Sequence, residues 1–133
     1  MKAITIKEPW ASMISHGFKT METRPWPTSY RGRIAIHAGK GKPDKEWIEN
    51  VPEMMEMIND DIHPGCIVAH ANLVDCVPIT KELIDTVKKN HSEYISGFYS
   101  EGRYAFILDD IQMVNPVEVK GRQRLWNYDK KEK

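Results

Sequence analysis

The sequence predicts an α+β domain, a small, mostly antiparallel β-barrel decorated by short helices. Three observations lead there. Five or six short β-prone runs are spread along the chain, the helical stretches between them are brief, and no regular strand–helix–strand rhythm links them. The 133 residues show no internal repeat and no linker, a length that suits one domain with its own core. We assign residues 1–128 to that domain and 129–133 to a frayed, charged tail.

The elements follow in order. Ala3-Ile4-Thr5-Ile6 is β-prone. Glu8-Pro9-Trp10 then opens a short helix, with proline where a missing N–H costs nothing. Trp10, Met13 and Ile14 mark its apolar face, and Gly17 is its expected C-cap. Lys19 to Trp26 reads as extended, stopped by Pro25 and Pro27. Gly32 to Gly39 alternates as a strand, with Ile34 and Ile36 on one side. Asp44 to Asp61 carries Trp47, Ile48, Val51, Met54, Met55 and Ile58 at helical intervals, split by Pro52. Its methionine stripe is read as core. Cys66 to Val77 is a long strand that Pro78 ends. Thr80 is the N-cap of a helix through Asn90, with Leu83, Ile84 and Val87 inward. His91 to Gly102 reads as a loop dotted with glycine and aromatics. Arg103 to Val114 is the strongest strand, bent at Asp109-Asp110, and the tail from Gly121 carries aromatics and bases.

Composition excludes several classes. No apolar run approaches the ~20 residues that cross a bilayer, and the first residues lack a signal-peptide core. A cytoplasmic protein without a membrane partner is expected. Cys66 and Cys76 fit no metal or redox spacing and are read as reduced thiols. The five histidines show no i, i+4 pair and no cysteine partner at zinc spacing, so neither metal nor cofactor is expected. Phosphate-loop, dinucleotide and serine-hydrolase motifs do not occur.

The net charge is zero, but its distribution is uneven. Residues 1–42 hold eight bases against two acids, a net of +6; residues 43–62 hold seven acids against Lys45, a net of −6. From Glu118 onward six bases face three acids, a net of +3. Folded together, the two basic ends make a positive face able to meet phosphate; alternatively, they pair with the acidic middle.

The densest chemistry lies in Gly17-Phe18-Lys19-Thr20-Met21-Glu22-Thr23-Arg24. In an extended strand Glu22 and Arg24 share a side, and a turn after Gly17 swings Lys19 round to meet Glu22. Such a site holds one donor that can titrate, one acceptor and one fixed planar fork. Lysine in a partly dry pocket acts as base or nucleophile. Glutamate shuttles a proton or reads the amino group of a base, and arginine clamps phosphate. Trp10, Trp26, Tyr30, Tyr104 and Trp126 neighbour these stretches. Trp10 is expected inside and Trp26 as a stacking wall.

Gly17, Lys19, Glu22 and Arg24 spell Gly-x-Lys-x-x-Glu-x-Arg, which resembles the signature of the ASCH domain, a branch of the PUA-like superfamily. The likeness extends through Ile4 to Ala11, Arg24-Pro25-Trp26, Tyr30-Arg31-Gly32, Ile36 to Lys40, Gly102 to Ala105 and Gly121 to Trp126. It implies a β-barrel with a cleft beside the signature that binds RNA or a modified nucleoside. Some small ASCH-like proteins are amidohydrolases acting on N4-acetylcytidine through a lysine, a threonine three residues on and a distant glutamate. Lys19 matches the lysine, Glu22 stands where threonine would, and Glu101 is a candidate for the distant carboxylate. Others have been proposed as metal-independent ribonucleases using lysine and tyrosine, for which Lys40 and Tyr104 are the corresponding kind of residue. Two readings follow. One is a binding module with Arg24, Trp26, Tyr30, His37, Lys40 and Arg103 on the ligand. The other is a hydrolase with Lys19 reacting and Glu22 or Tyr104 assisting. The oligomeric state stays open.

Overall fold

A computed structural model describes residues 1–42 and 44–129. Most of the expected charged tail, residues 130–133, lies outside the described residues. Six strands form one sheet in the order β2-β5-β4-β3-β1-β6, curled into a half-barrel with β2 and β6 at its edges. The strands are β1 (Lys2–Ile6), β2 (Met21–Arg24), β3 (Gly32–Ala38), β4 (Cys66–Pro78), β5 (Tyr104–Glu118) and β6 (Leu125–Asn127). Every neighbouring pair is antiparallel except β1 with β3. That parallel pair needs a crossover, which helix α1 (Trp10–Ser15) and β2 supply.

Alternation along the strands explains the two buried layers. Ile4, Ile6, Ile34 and Ile36 face the main core with Leu73, Phe106 and Leu108, and α1 adds Ala11 and Ile14. Ala3 and Ala35, on the other side of the same strands, pack beneath Trp126 and Tyr128. A third cluster lies among the helices, where Met13, Met54 and Ile58 are fully buried, so the methionine stripe contributes to core. Pro52 does separate α2 (Lys45–Asn50) from α3 (Glu53–Met57).

Local capping agrees with the sequence where its signals are short-range. The Asp44 side chain accepts from Trp47 N at 3.0 Å and Thr80 from Leu83 N at 3.2 Å, starting α2 and α4 (Lys81–Val87). Glu8 closes the first turn of α1: its carboxylate accepts from Ser12 N at 2.9 Å and Ser12 Oγ at 2.7 Å, and from His63 N at 3.1 Å. Two expectations change. The helix after Thr80 stops at Val87, and residues expected to form a loop contain α5 (His91–Ile95). Strand β5 also runs on past Val114 to Glu118, because the ladder with β4 shifts register between Ile67 and Ala69 and so tolerates Pro116. No helix among the described residues is long and apolar enough to cross a membrane.

Candidate functional site

Gly17 adopts φ +83 and ends α1, with the N–H groups of Phe18 and Lys19 both donating to Met13 O. The chain leaves that turn as β2, which pairs antiparallel with Tyr104–Ile107 of β5. The turn carries Lys19 inward. Its side chain is 1% exposed, and its Nζ lies 3.8 Å from Glu22 Oε1. Glu22 Oε2 accepts from Arg24 Nε at 2.9 Å, and Arg24 Nη2 donates to Thr5 O at 2.7 Å. The three signature side chains therefore form one chain of charge, Lys19–Glu22–Arg24.

A second carboxylate arrives from α5. Glu93 is 2% exposed and accepts from Thr20 N and Thr20 Oγ1, each at 2.6 Å, from Met21 N at 3.3 Å and from Tyr99 OH at 3.0 Å. The Tyr99 ring lies 5.8 Å from Lys19 Nζ. Burial pushes the Lys19 ammonium below its ordinary range; Glu22 and then Glu93 oppose that pull, and Arg24 adds to it. Burial, joined by the Glu93 carboxylate, pushes the Tyr99 phenol far up. Tyr99 thus remains a hydrogen-bond donor.

These groups border a cavity of about 590 Å³. Trp10, Lys19, Glu22, Arg24, Phe98 and Arg103 supply its chemistry. Four cations (Lys7, Lys19, Arg24 and Arg103) face one lining acid, Glu22. Trp10 Nε1 and Arg103 Nε are buried, and neither has a hydrogen-bond partner among the described residues. Arg103 Nη2 donates to Thr23 O at 3.0 Å, and its guanidinium lies 5.0 Å from the Phe98 ring centroid. Phe98 is 55% exposed at this rim. Gly97 allows the close approach: a Cβ there would stand 2.6 Å from the Tyr99 ring and 3.0 Å from Lys19 Nζ.

The other sequence candidates are placed differently. Tyr104 sits opposite Arg24 in the ladder, packs against the core and does not line this cavity. Trp26 packs edge-on to Phe106 at 5.3 Å, with the Arg24 and Arg124 guanidinium groups 5.9 and 4.9 Å from its ring. Phe98, not Trp26, is the aromatic at the cavity rim. Tyr30 donates to Arg33 O at 2.7 Å, away from the cavity. His37 and Lys40 line a neighbouring groove. Glu101 is exposed, and the carboxylate from a distant segment whose charge acts on Lys19 is Glu93. A short-range hint of α5 exists: Asn90 precedes Glu93 by three residues, a capping pattern, and its side chain accepts from Glu93 N at 3.3 Å.

Together these features make a mixed α+β domain whose six-stranded sheet curls into a half-barrel with a charged pocket beside its first helix. The family model described as the ASCH domain matches residues 4–119, and the chain belongs to that family. It is 26% identical over 136 aligned positions to Activating signal cointegrator 1 of Homo sapiens, covering 96% of this chain and 22% of that protein. The same protein of Mus musculus is 24% identical, with the same coverage. The chain thus spans about a fifth of the length of these curated relatives. Among solved structures, the ASCH protein of Zymomonas mobilis superposes with a TM-score of 0.59 at 20% identity, covering 97% of this chain and 87% of that one. A mutant of that protein gives 0.58, also at 20% identity, over 97% and 90%. At that identity the likeness concerns the fold.

Proposed function

We propose that this domain binds RNA by drawing one nucleobase into the cavity beside Lys19, Glu22 and Arg24. The observation that carries the reading is the cavity's polarity. Four cations line the cavity against a single carboxylate, Glu22, and two lining residues, Trp10 and one of those cations, Arg103, each carry a buried N–H with no partner among the described residues. Buried donors without partners cost about 1–3 kcal/mol each, so a ligand rich in acceptors recovers energy there. Base carbonyls and ring nitrogens meet the donors, while Glu22 accepts from an exocyclic amino group, as carboxylates do with cytosine. Phe98, at the rim, offers a face for a neighbouring base, worth ~1–3 kcal/mol in such sites. A reduced, cytoplasmic setting accompanies this reading, since Cys66 and Cys76 are free thiols.

The expected result for Arg24→Ala is weaker binding of single-stranded RNA and a salt slope shallower by about 0.7, the single-strand value per lost phosphate contact. Fluorescence anisotropy across a salt series measures both, and an unchanged slope removes Arg24 from the phosphate.

One observation favours a second reading, a hydrolase. Lys19 is buried, held below its ordinary pKa, and flanked by Glu22 and Glu93. Those conditions suit a lysine that takes a proton or attacks a carbonyl. On N4-acetylcytidine the reaction consumes one water and yields cytidine and acetate. Chromatography of that nucleoside after incubation, beside a Lys19→Ala control, decides the matter. Product in wild type alone favours the enzyme; intact substrate with RNA retained favours the binder.

A further inference from the structure

A second groove, of about 730 Å³, adjoins the Lys19 cavity. Thr5 lines both and forms the ridge between them. Its carbonyl holds Arg24 at 2.7 Å, and its hydroxyl lies 3.1 Å from His37 Nδ1 in the groove. The floor of the groove is fixed. Val119 O can only accept, so the 2.6 Å contact makes His37 Nε2 the protonated nitrogen. Trp126 Nε1 donates to Thr5 Oγ1 at 3.2 Å, and that hydroxyl shares a hydrogen bond with His37 Nδ1. Both His37 nitrogens are thus committed to the fold, and the imidazole serves as floor. Gly121 lets the segment after β5 lie on that floor, since a Cβ there would stand 2.5 Å from His37 Cε1 and 2.8 Å from Thr5 Oγ1.

The walls are cationic. Lys40, Lys120 and Arg122 line the groove with one acid, Glu118. All three bases are exposed, and none enters an ion pair among the described residues. No carboxylate of the acidic middle forms an ion pair with them among the described residues. The Asp61 and Glu53 carboxylates lie instead against the rings of His16, His63 and His91. The Lys40 stem passes 3.6 Å from where a Gly65 Cβ would stand, which directs that lysine along the groove wall.

From this geometry we infer that the groove is a phosphate-binding subsite for the nucleotides adjoining the one in the Lys19 cavity. The ligand is therefore a single-stranded RNA segment crossing the Thr5 ridge, in preference to a free nucleoside. This rests on the RNA-binding reading above. A base enters the cavity only when unstacked, which single strands permit at least cost. Lys40, Lys120 and Arg122, lining the groove that shares Thr5 with the cavity, meet the phosphates that follow it.

The test compares wild type, Arg24→Ala and the double variant Lys120→Ala/Arg122→Ala. The probes are a labelled single-stranded RNA hexamer, a blunt RNA duplex of equal length and cytidine 5′-monophosphate. The groove variant is expected to bind the hexamer about tenfold more weakly, with a salt slope shallower by about 1.4, two single-strand contacts. Binding of the mononucleotide should not change. If the groove variant binds the hexamer as wild type does while Arg24→Ala weakens it, the groove subsite is wrong and the cavity reading stands. If wild type binds neither hexamer nor mononucleotide, both fall. Equal affinity for the duplex, with equal sensitivity to the groove variant, would overturn the single-strand assignment.

Discussion

Glu93→Ala is expected to lower the unfolding free energy by about 3–5 kcal/mol, the combined effect of several buried donors stranded together at about 1–3 kcal/mol each. Glu93 is almost wholly buried and receives four hydrogen bonds from three residues. Alanine there leaves Thr20 N, Thr20 Oγ1, Met21 N and Tyr99 OH without their acceptor at the start of β2. Each stranded donor costs about 1–3 kcal/mol, moderated by relaxation and entering water. The variant also removes an anion that supports the Lys19 charge, so Lys19 should move further down and RNA affinity should drop with stability. Urea unfolding measures the first effect. A loss below about 1 kcal/mol would mean that water serves those donors as well as the carboxylate does.

The second large effect concerns Lys19→Met, which keeps an unbranched stem and removes the ammonium. RNA affinity is expected to fall by the value of a charged hydrogen bond, about 1.5–3 kcal/mol. The stability difference carries a pH signature. Burial holds the folded-state pKa of Lys19 below its ordinary 10.5, so between those two values the unfolded chain binds more protons than the folded one. Wild-type stability therefore gains as pH rises through that window and levels off above 10.5. The slope is at most about 1.4 kcal/mol per pH unit for one proton. Methionine has nothing to titrate, so wild type should gain on the variant over the same window. Unfolding curves of the pair at several pH values test this, and a difference that stays flat up to 10.5 would show that the lysine is hydrated in the native state.

Much of the candidate site's geometry was readable because its signals are local. The period of two in β2 put Glu22 and Arg24 on one side, and their side chains meet at 2.9 Å. Gly17 announced the turn that brings Lys19 to Glu22. The strands with alternating isoleucine, the break at Pro52 and the Thr80 cap were legible for the same reason. What escaped comes from the segment 91–99. Glu93 reaches Thr20 across 73 positions of sequence, and no periodicity of either segment encodes that meeting. Phe98 looks like any loop aromatic until Arg103 and the cavity rim are in place. Tyr104 and His37 show the converse. Both sit in segments that resemble the family pattern, yet Tyr104 packs on the core and both nitrogens of His37 are committed to the fold. Charge segregation was legible only as a sum; folding places Lys40 from the basic beginning beside Lys120 and Arg122 from the basic end.

The pairing of Met1 with Tyr128 has a mechanical consequence. Met1 O accepts from Tyr128 N at 2.8 Å, and the Met1 amine donates to Tyr128 O at 3.2 Å. Two residues 127 positions apart in sequence thus stand side by side, about one strand spacing apart. Any polypeptide joined before residue 1 and any joined after residue 129 depart from neighbouring points. Spliced into a loop of a larger host, this unit would hang like a pendant from two adjacent threads and leave the host loop almost closed. A pull applied through both threads would load the β1–β6 edge first, and because Thr5 of β1 receives the Trp126 indole and holds Arg24, opening that seam would loosen the pocket wall.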